Sequence, residues 1–209
     1  SLLPRQRGPS PVAATILNGE DQAGVTIILL DQGVDTGPIL SQSDPFPLNG
    51  RERKTELQTR LFKEGAALLP LTIEGLQNGT IFATPQDASL ATVTPLLQRS
   101  DGEIDWTDSS DQIDRMVRAY DPWPGTFTLW QDKTIKIIEC DLALQSSELA
   151  GTLESIPGLV SAFDESVFVG TGLGTLEIKR LQLEGRRVMS QGEFLRGHPG
   201  FVGAQLGVQ

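Results

Sequence analysis

The apolar positions change period along the chain, and each change marks an element. Val25-Thr-Ile-Ile-Leu-Leu30 is a short run of apolar and β-branched residues without a helical period. That pattern predicts a core strand buried on both faces of a parallel sheet. The run passes into Asp31-Gln-Gly-Val-Asp-Thr-Gly-Pro38, whose acids, glycines and proline predict a tight exposed loop at the strand's end. Ahead of it, Pro11-Val-Ala-Ala-Thr-Ile-Leu17 lies between a helix-starting proline and Asn18-Gly19, which predicts a short helix. Ile39–Pro47 returns as an extended segment, since Pro45 and Pro47 exclude a helix.

A helical period takes over at Thr55-x-x-Gln58, a capping-box pattern. Leu57, Leu61, Leu68 or Leu69, Ile73 and Leu76 follow at amphipathic spacing, predicting a long helix laid over the sheet and ended by Asn78-Gly79. Pro70 inside the stripe should kink or split it near Ala67. Thr80–Asp105 has little period, contains Pro85 and Pro95, and reads as an interdomain connector. The expected domains are therefore 1–100 and 101–209. Ser109-x-x-Gln112 opens a second capped helix with Ile113, Met116, Val117 and Tyr120 on one core-facing side, stopped by Pro122.

Beyond Thr126 the pattern is one of short strands: Phe127–Trp130, Thr134–Cys140, Gly151–Ile156, Val160–Phe163, Val167–Val169 and Leu176–Leu183. Closely spaced strands in so short a stretch predict a small barrel. Gly170-Thr-Gly-Leu-Gly174 lacks the spacing and the following helix of a dinucleotide fingerprint and reads as a hairpin turn.

Composition adds bounds. The 209 residues, 38% hydrophobic, can bury a good core with room for two modest domains. No apolar run approaches the roughly 20 residues that cross a bilayer, so no membrane partner is expected. A single Cys140 cannot form an internal disulfide and suits a small core residue in a reducing cytoplasm. The net charge of −10 argues against nucleic acid unless basic residues are local. Residues 1–100 carry eight basic and ten acidic side chains, whereas 101–209 carry nine and seventeen. Arg5 and Arg7 form one acid-free patch, and Lys179, Arg180, Arg186 and Arg187 form another; the same residues suit solvated surface charges equally. With one His and one Cys far apart, no metal site is expected. Asp35 is the candidate for proton transfer, with a turn-forming role for Asp31 and Asp35 as the other reading.

Several blocks in fixed order carry a resemblance: Ser1-Leu-Leu-Pro-Arg-Gln-Arg-Gly8, Gly24-Val-Thr-Ile27, Asp31-Gln-Gly-Val-Asp-Thr-Gly37, Ile104-Asp-Trp106, Asp121-Pro-Trp-Pro-Gly125, Glu184-Gly-Arg-Arg-Val-Met-Ser190 and Phe194-Leu-Arg-Gly-His198. Together they resemble the folate-dependent formyltransferases, and within them the methionyl-tRNA formyltransferases. The resemblance implies an α/β plus β architecture: a partial formyltransferase-type, Rossmann-like sheet domain followed by an OB-like β-barrel. It implies transfer of a formyl group from 10-formyltetrahydrofolate to methionine on initiator methionyl-tRNA, in the cytoplasm, by a monomer. It assigns the catalytic Asp to Asp35, folate contacts to Ser1, Leu2, Leu3 and Pro4, and tRNA contacts to Arg5, Arg7, Lys179, Arg180, Arg186 and Arg187. The family's catalytic Asn and His would lie ahead of Ser1, and the one His here is His198. The chain is therefore expected to be the larger piece of a longer enzyme and inactive by itself. An amino-sugar nucleotide as acceptor, or a non-catalytic tRNA-binding module, remain the alternatives.

Overall fold

The computed structural model describes residues 1–143, 156–163 and 166–207. Its contacts separate into two compact units, Ser1–Leu97 and Gln98–Gln209.

In the first unit α1 (Pro11–Leu17) buries Ala13, Thr15 and Ile16, and Asn18 caps its end. The strands are short: β1 (Gln22–Ala23) pairs antiparallel with β4 (Phe46–Pro47), and β2 (Thr26–Ile28) with β3 (Ile39–Gln42). This corrects the expectation of a parallel, doubly buried core strand over Val25–Leu30. β2 is half-exposed throughout, and Leu29 and Leu30 are 50% and 85% exposed. An apolar run records what a strand can bury but not how many neighbours cover it. Within this chain β2 pairs with one antiparallel partner, β3, and packs against the helix α2 (Lys54–Gln77).

Helix α2 starts earlier than the Thr55/Gln58 box predicts. Its N-cap is Arg53, whose N–H donates to Glu56 Oε2 at 3.3 Å. The helix runs unbroken through Pro70 rather than splitting, because packing against α1, β2 and β3 outweighs one missing backbone bond. The predicted apolar stripe divides. Leu57, Thr72 and Gly75 are buried, whereas Leu69, Ile73 and Leu76 are exposed. After the helix, residues 80–97 return across this unit. Thr84 exchanges backbone hydrogen bonds with Ile39, both at 2.8 Å, and Thr92 and Thr94 pair with Arg7.

The second unit opens with α3 (Ser110–Ala119), capped by the predicted Ser109/Gln112 box and burying Ile113 and Val117. Its sheet contains β5 (Thr126–Trp130), β6 (Lys133–Leu142), β7 (Val160–Phe163), β8 (Ser166–Gly170) and β9 (Thr175–Leu183), ordered β5-β6-β9-β8-β7 and antiparallel throughout. β10 (Met189–Ser190) adds to β9. These strands match the predicted segments to within two residues at either end; Gly151–Ile156, save Ile156, lies outside the described residues. Residues 170–174 form the expected turn between β8 and β9, with Thr171 N–H donating to Gly174 O at 3.1 Å.

Alternation along β6 and β9 sends Ile135, Ile137, Cys140, Ile178, Leu181 and Leu183 inward. Register shifts around Glu139 bend β6, which lets the sheet curl. Helix α4 (Gln191–Gly197) brings Phe194 against Trp130 and Phe201 in one aromatic cluster. The chain after Phe201 runs along the edges of this sheet. Val160 N–H donates to Ala204 O at 2.9 Å, Leu206 N–H to Gly158 O at 2.9 Å, and Gly207 N–H to Leu129 O at 3.1 Å. Irregular chain thus hydrogen-bonds to both edge strands of the sheet, β7 and β5. Among the described residues no helix is long and apolar enough to cross a membrane.

Candidate active site

Two turns of the first unit meet around Asp35. The residue sits in the left-handed region at φ 54°, where Asp is tolerated better than most non-glycine residues. Its Oδ2 accepts the Gly8 N–H at 2.7 Å. Among the described residues, Oδ1 has no hydrogen-bond partner. Gly8 is itself at φ +107°, and a Cβ there would lie 2.7 Å from the carbonyl oxygen of Thr94, so glycine lets residues 7–10 approach the 92–94 segment. Gly37 is more tightly held: an added Cβ would lie 1.8 Å from Leu29 O.

Asp31 behaves as a turn former. Its Oδ1 accepts from the Thr36 hydroxyl at 2.7 Å and the Gly33 N–H at 2.9 Å. These bonds, the hydroxyl's first, hold its carboxyl below the usual carboxylate range. Gln86, which no local pattern singles out, joins the loop from the other side. Its Nε2 donates to Asp35 O at 2.8 Å and Gly37 O at 2.6 Å, while its Oε1 accepts from Arg7 Nε at 3.1 Å and Nη2 at 2.8 Å.

Asp35 opens on a cavity of about 500 Å³ whose wall includes Ser1, Leu3, Ile28, Lys54, Gln58 and Phe62. Its volume lies in the range of small-molecule sites, and its wall mixes apolar side chains with the polar groups of Ser1, Asp35, Lys54 and Gln58. Of the four residues assigned to folate by resemblance, Ser1 and Leu3 line this cavity. Leu2, with Ser1, lines a smaller one of about 110 Å³, and Pro4 lines neither. Lys54, Gln58 and Phe62 were missed because helix α2 brings them there from afar, and nothing in local spacing announces it.

The basic candidates do not share one environment. Arg5 is exposed and paired with Glu20 at 2.7 Å. Arg7 turns inward to Gln86, so it does not extend a solvent-facing patch with Arg5. In the second unit Lys179 pairs with Glu177 at 2.6 Å and Arg187 with Glu193 at 3.0 Å. Among the described residues, Arg180 and Arg186 are exposed without an ion pair. His198 stacks on Phe194 and its Nδ1 lies 3.0 Å from Phe194 O, a packing role in the second unit.

Comparison with known proteins gives this geometry a context. Residues 1–73 match the family described as "Formyl transferase", and residues 96–199 match "Formyl transferase, C-terminal domain". A methionyl-tRNA formyltransferase of Roseiflexus sp. (strain RS-1) is 41% identical over 208 residues, covering 99% of this chain and 62% of that protein. One from Chloroflexus aurantiacus is 44% identical over 199 residues, covering 94% of this chain and 62% of that protein. The chain thus spans a little under two thirds of the length of these relatives. In fold it is similar to HypX from Aquifex aeolicus in complex with tetrahydrofolic acid, with TM-score 0.69 and 22% identity over 94% of this chain and 34% of that one. Matched in order by both domain descriptions and by relatives along nearly its whole length, the chain belongs to the formyl transferase family.

Proposed function

We propose that the full-length protein carrying this chain transfers a formyl group from 10-formyltetrahydrofolate to the α-amine of methionine on initiator methionyl-tRNA. The observation that carries the reading is the Asp35 carboxylate, pinned through one oxygen by Gly8, with the other unengaged beside a ligand-sized cavity. Identity of 41–44% to methionyl-tRNA formyltransferases supports this acceptor.

The amine must be neutral to attack the formyl carbon. It forms a tetrahedral intermediate whose collapse restores the carbonyl and releases the folate nitrogen. Asp35 takes the proton that the amine sheds as the new C–N bond forms, and the proton required by the departing folate nitrogen can return by the same route. The N–H of Gly8 fixes the carboxylate's orientation through Oδ2 and leaves Oδ1 facing no hydrogen-bond donor among the described residues. The apolar wall of Leu3, Ile28 and Phe62 offers contact to a flat pterin, and Lys54 offers a cation to the donor's carboxylates. Oxyanion stabilisation falls to the Asn and His that the resemblance places ahead of Ser1. In the second unit, the exposed Arg180 and Arg186 are the proposed tRNA phosphate contacts. Both proposed substrates are cytoplasmic, which is the proposed location.

The test is formylation by the purified full-length protein, with 10-formyltetrahydrofolate and either methionyl initiator tRNA or an amino-sugar nucleotide as acceptor. Formyl-methionyl-tRNA as the product supports the reading. Turnover of the sugar alone, or tRNA binding without turnover, overturns it.

A further inference from the structure

We propose that Gln86 is a positioning residue for Asp35, acting through the loop backbone and not on substrate; this rests on the formyl-transfer reading. Asp35 is held at both ends. Its carboxylate is fixed by the N–H of Gly8, and its backbone by the Gln86 side-chain amide, which donates to the carbonyls of Asp35 and Gly37 at 2.8 and 2.6 Å. Those two carbonyls flank Thr36, so one amide clamps the turn that presents the carboxylate. The clamp matters because φ 54° is a left-handed conformation that costs a non-glycine residue energy, though less for Asp than for most.

The two ends share one support. Arg7, adjacent to Gly8, donates through Nε and Nη2 to Gln86 Oε1, at 3.1 and 2.8 Å. Arg7 is itself fixed by backbone bonds with Thr92 at 2.9 Å and Thr94 at 2.7 Å. A guanidinium on the amide oxygen polarises the amide and strengthens its N–H donors. Gln86 therefore couples the placement of Gly8, which holds the carboxylate, to the placement of the turn, which carries it. Chemistry selects glutamine here. Glutamate could accept from Arg7 but has no N–H for the two carbonyls, and lysine could donate but not accept. Gln86 does not line the cavity, so its substitution leaves the substrate-contacting wall intact.

The test is the isosteric Gln86→Glu in the full-length protein, assayed by formylation of methionyl initiator tRNA well below its melting temperature, alone and combined with Asp35→Asn. The expected result is a fall in kcat of roughly ten- to a hundredfold, the scale of an ångström-sized misplacement. KM for the folate should stay within about threefold, because Gln86 touches no substrate. Added to Asp35→Asn, Gln86→Glu should cost nothing further, since both act through one carboxylate. If Gln86→Glu does not fold, Gln86→Met, of similar length and uncharged, replaces it. An unchanged kcat with lowered stability alone would reduce Gln86 to a structural role and overturn the proposal. So would a full Gln86→Glu effect persisting in the Asp35→Asn background. Should Asp35→Asn by itself leave turnover intact, the assignment of Asp35 fails first and that of Gln86 falls with it.

Discussion

Replacing Asp35 with Asn and, separately, with Ala distinguishes chemistry from folding at the same position. Asn tolerates the left-handed backbone at φ 54° and its amide oxygen can still accept the Gly8 N–H, now at 2.7 Å from Oδ2. The change swaps a charge-assisted bond for a neutral one, a loss of about 1 kcal/mol of stability. Ala keeps neither advantage. It strands the Gly8 N–H, costing about 1–3 kcal/mol, and adds the left-handed penalty of about 1 kcal/mol or more, for a total near 2–4 kcal/mol. Turnover should respond differently, because both variants remove the proton acceptor. A lost general base costs roughly a hundred- to ten-thousandfold, or about 2.7–5.4 kcal/mol of barrier at 1.36 kcal/mol per decade. The assay pairs urea unfolding with single-turnover formylation of methionyl initiator tRNA. Asp35→Asn should be nearly as stable as the parent but almost inactive, and Asp35→Ala should be both unstable and inactive. Turnover of Asp35→Asn within threefold of the parent would refute the catalytic assignment. Equal stability of the two variants would refute the account of the loop.

Three further expectations follow from other parts of the molecule. Gly37→Ala would place a Cβ 1.8 Å from Leu29 O, across the Leu29 N–H to Pro38 O bond at 2.9 Å; it should cost about 2 kcal/mol or more, and an unchanged urea midpoint would refute that. Substituting Arg180 and Arg186 by Gln together should lower the salt slope of tRNA binding by about 2, whereas the Glu-paired Lys179 and Arg187 should contribute less; equal effects from both pairs would contradict the distinction. Glu193, which accepts the Ser190 N–H and pairs with Arg187, is lowered from 4.5 to about 2. Its contribution is therefore complete above pH 4.5 and is lost as pH falls toward about 2. A carboxyl chemical-shift titration with a midpoint near 4.5 would refute the cap, and Arg187→Ala should raise the midpoint.

Periodicity by itself determined what local forces decide. The ends of α1 follow from Pro11 and Asn18, and the Ser109/Gln112 cap of α3 needs only backbone donors within one turn. The strands of the second unit were legible because alternation is enforced by a single buried face. Ordered blocks such as Asp31–Gly37 were enough to indicate the formyl transferase family. What required the tertiary structure was everything set by partners distant in sequence. Val25–Leu30 looks like a doubly covered strand, yet its exposure depends on how many elements pack on it. Leu69, Ile73 and Leu76 continue an apolar stripe, but the neighbours of α2 within this chain pack on Leu57, Thr72 and Gly75. Four basic residues in the second unit look equivalent until folding pairs Lys179 and Arg187 with glutamates and leaves Arg180 and Arg186 without an ion pair among the described residues. The junction of Arg7, Gln86 and Asp35 joins segments 51 and 79 residues apart. A side chain's hydrogen-bond partners at that range are fixed by the path of the folded backbone, which no local pattern encodes.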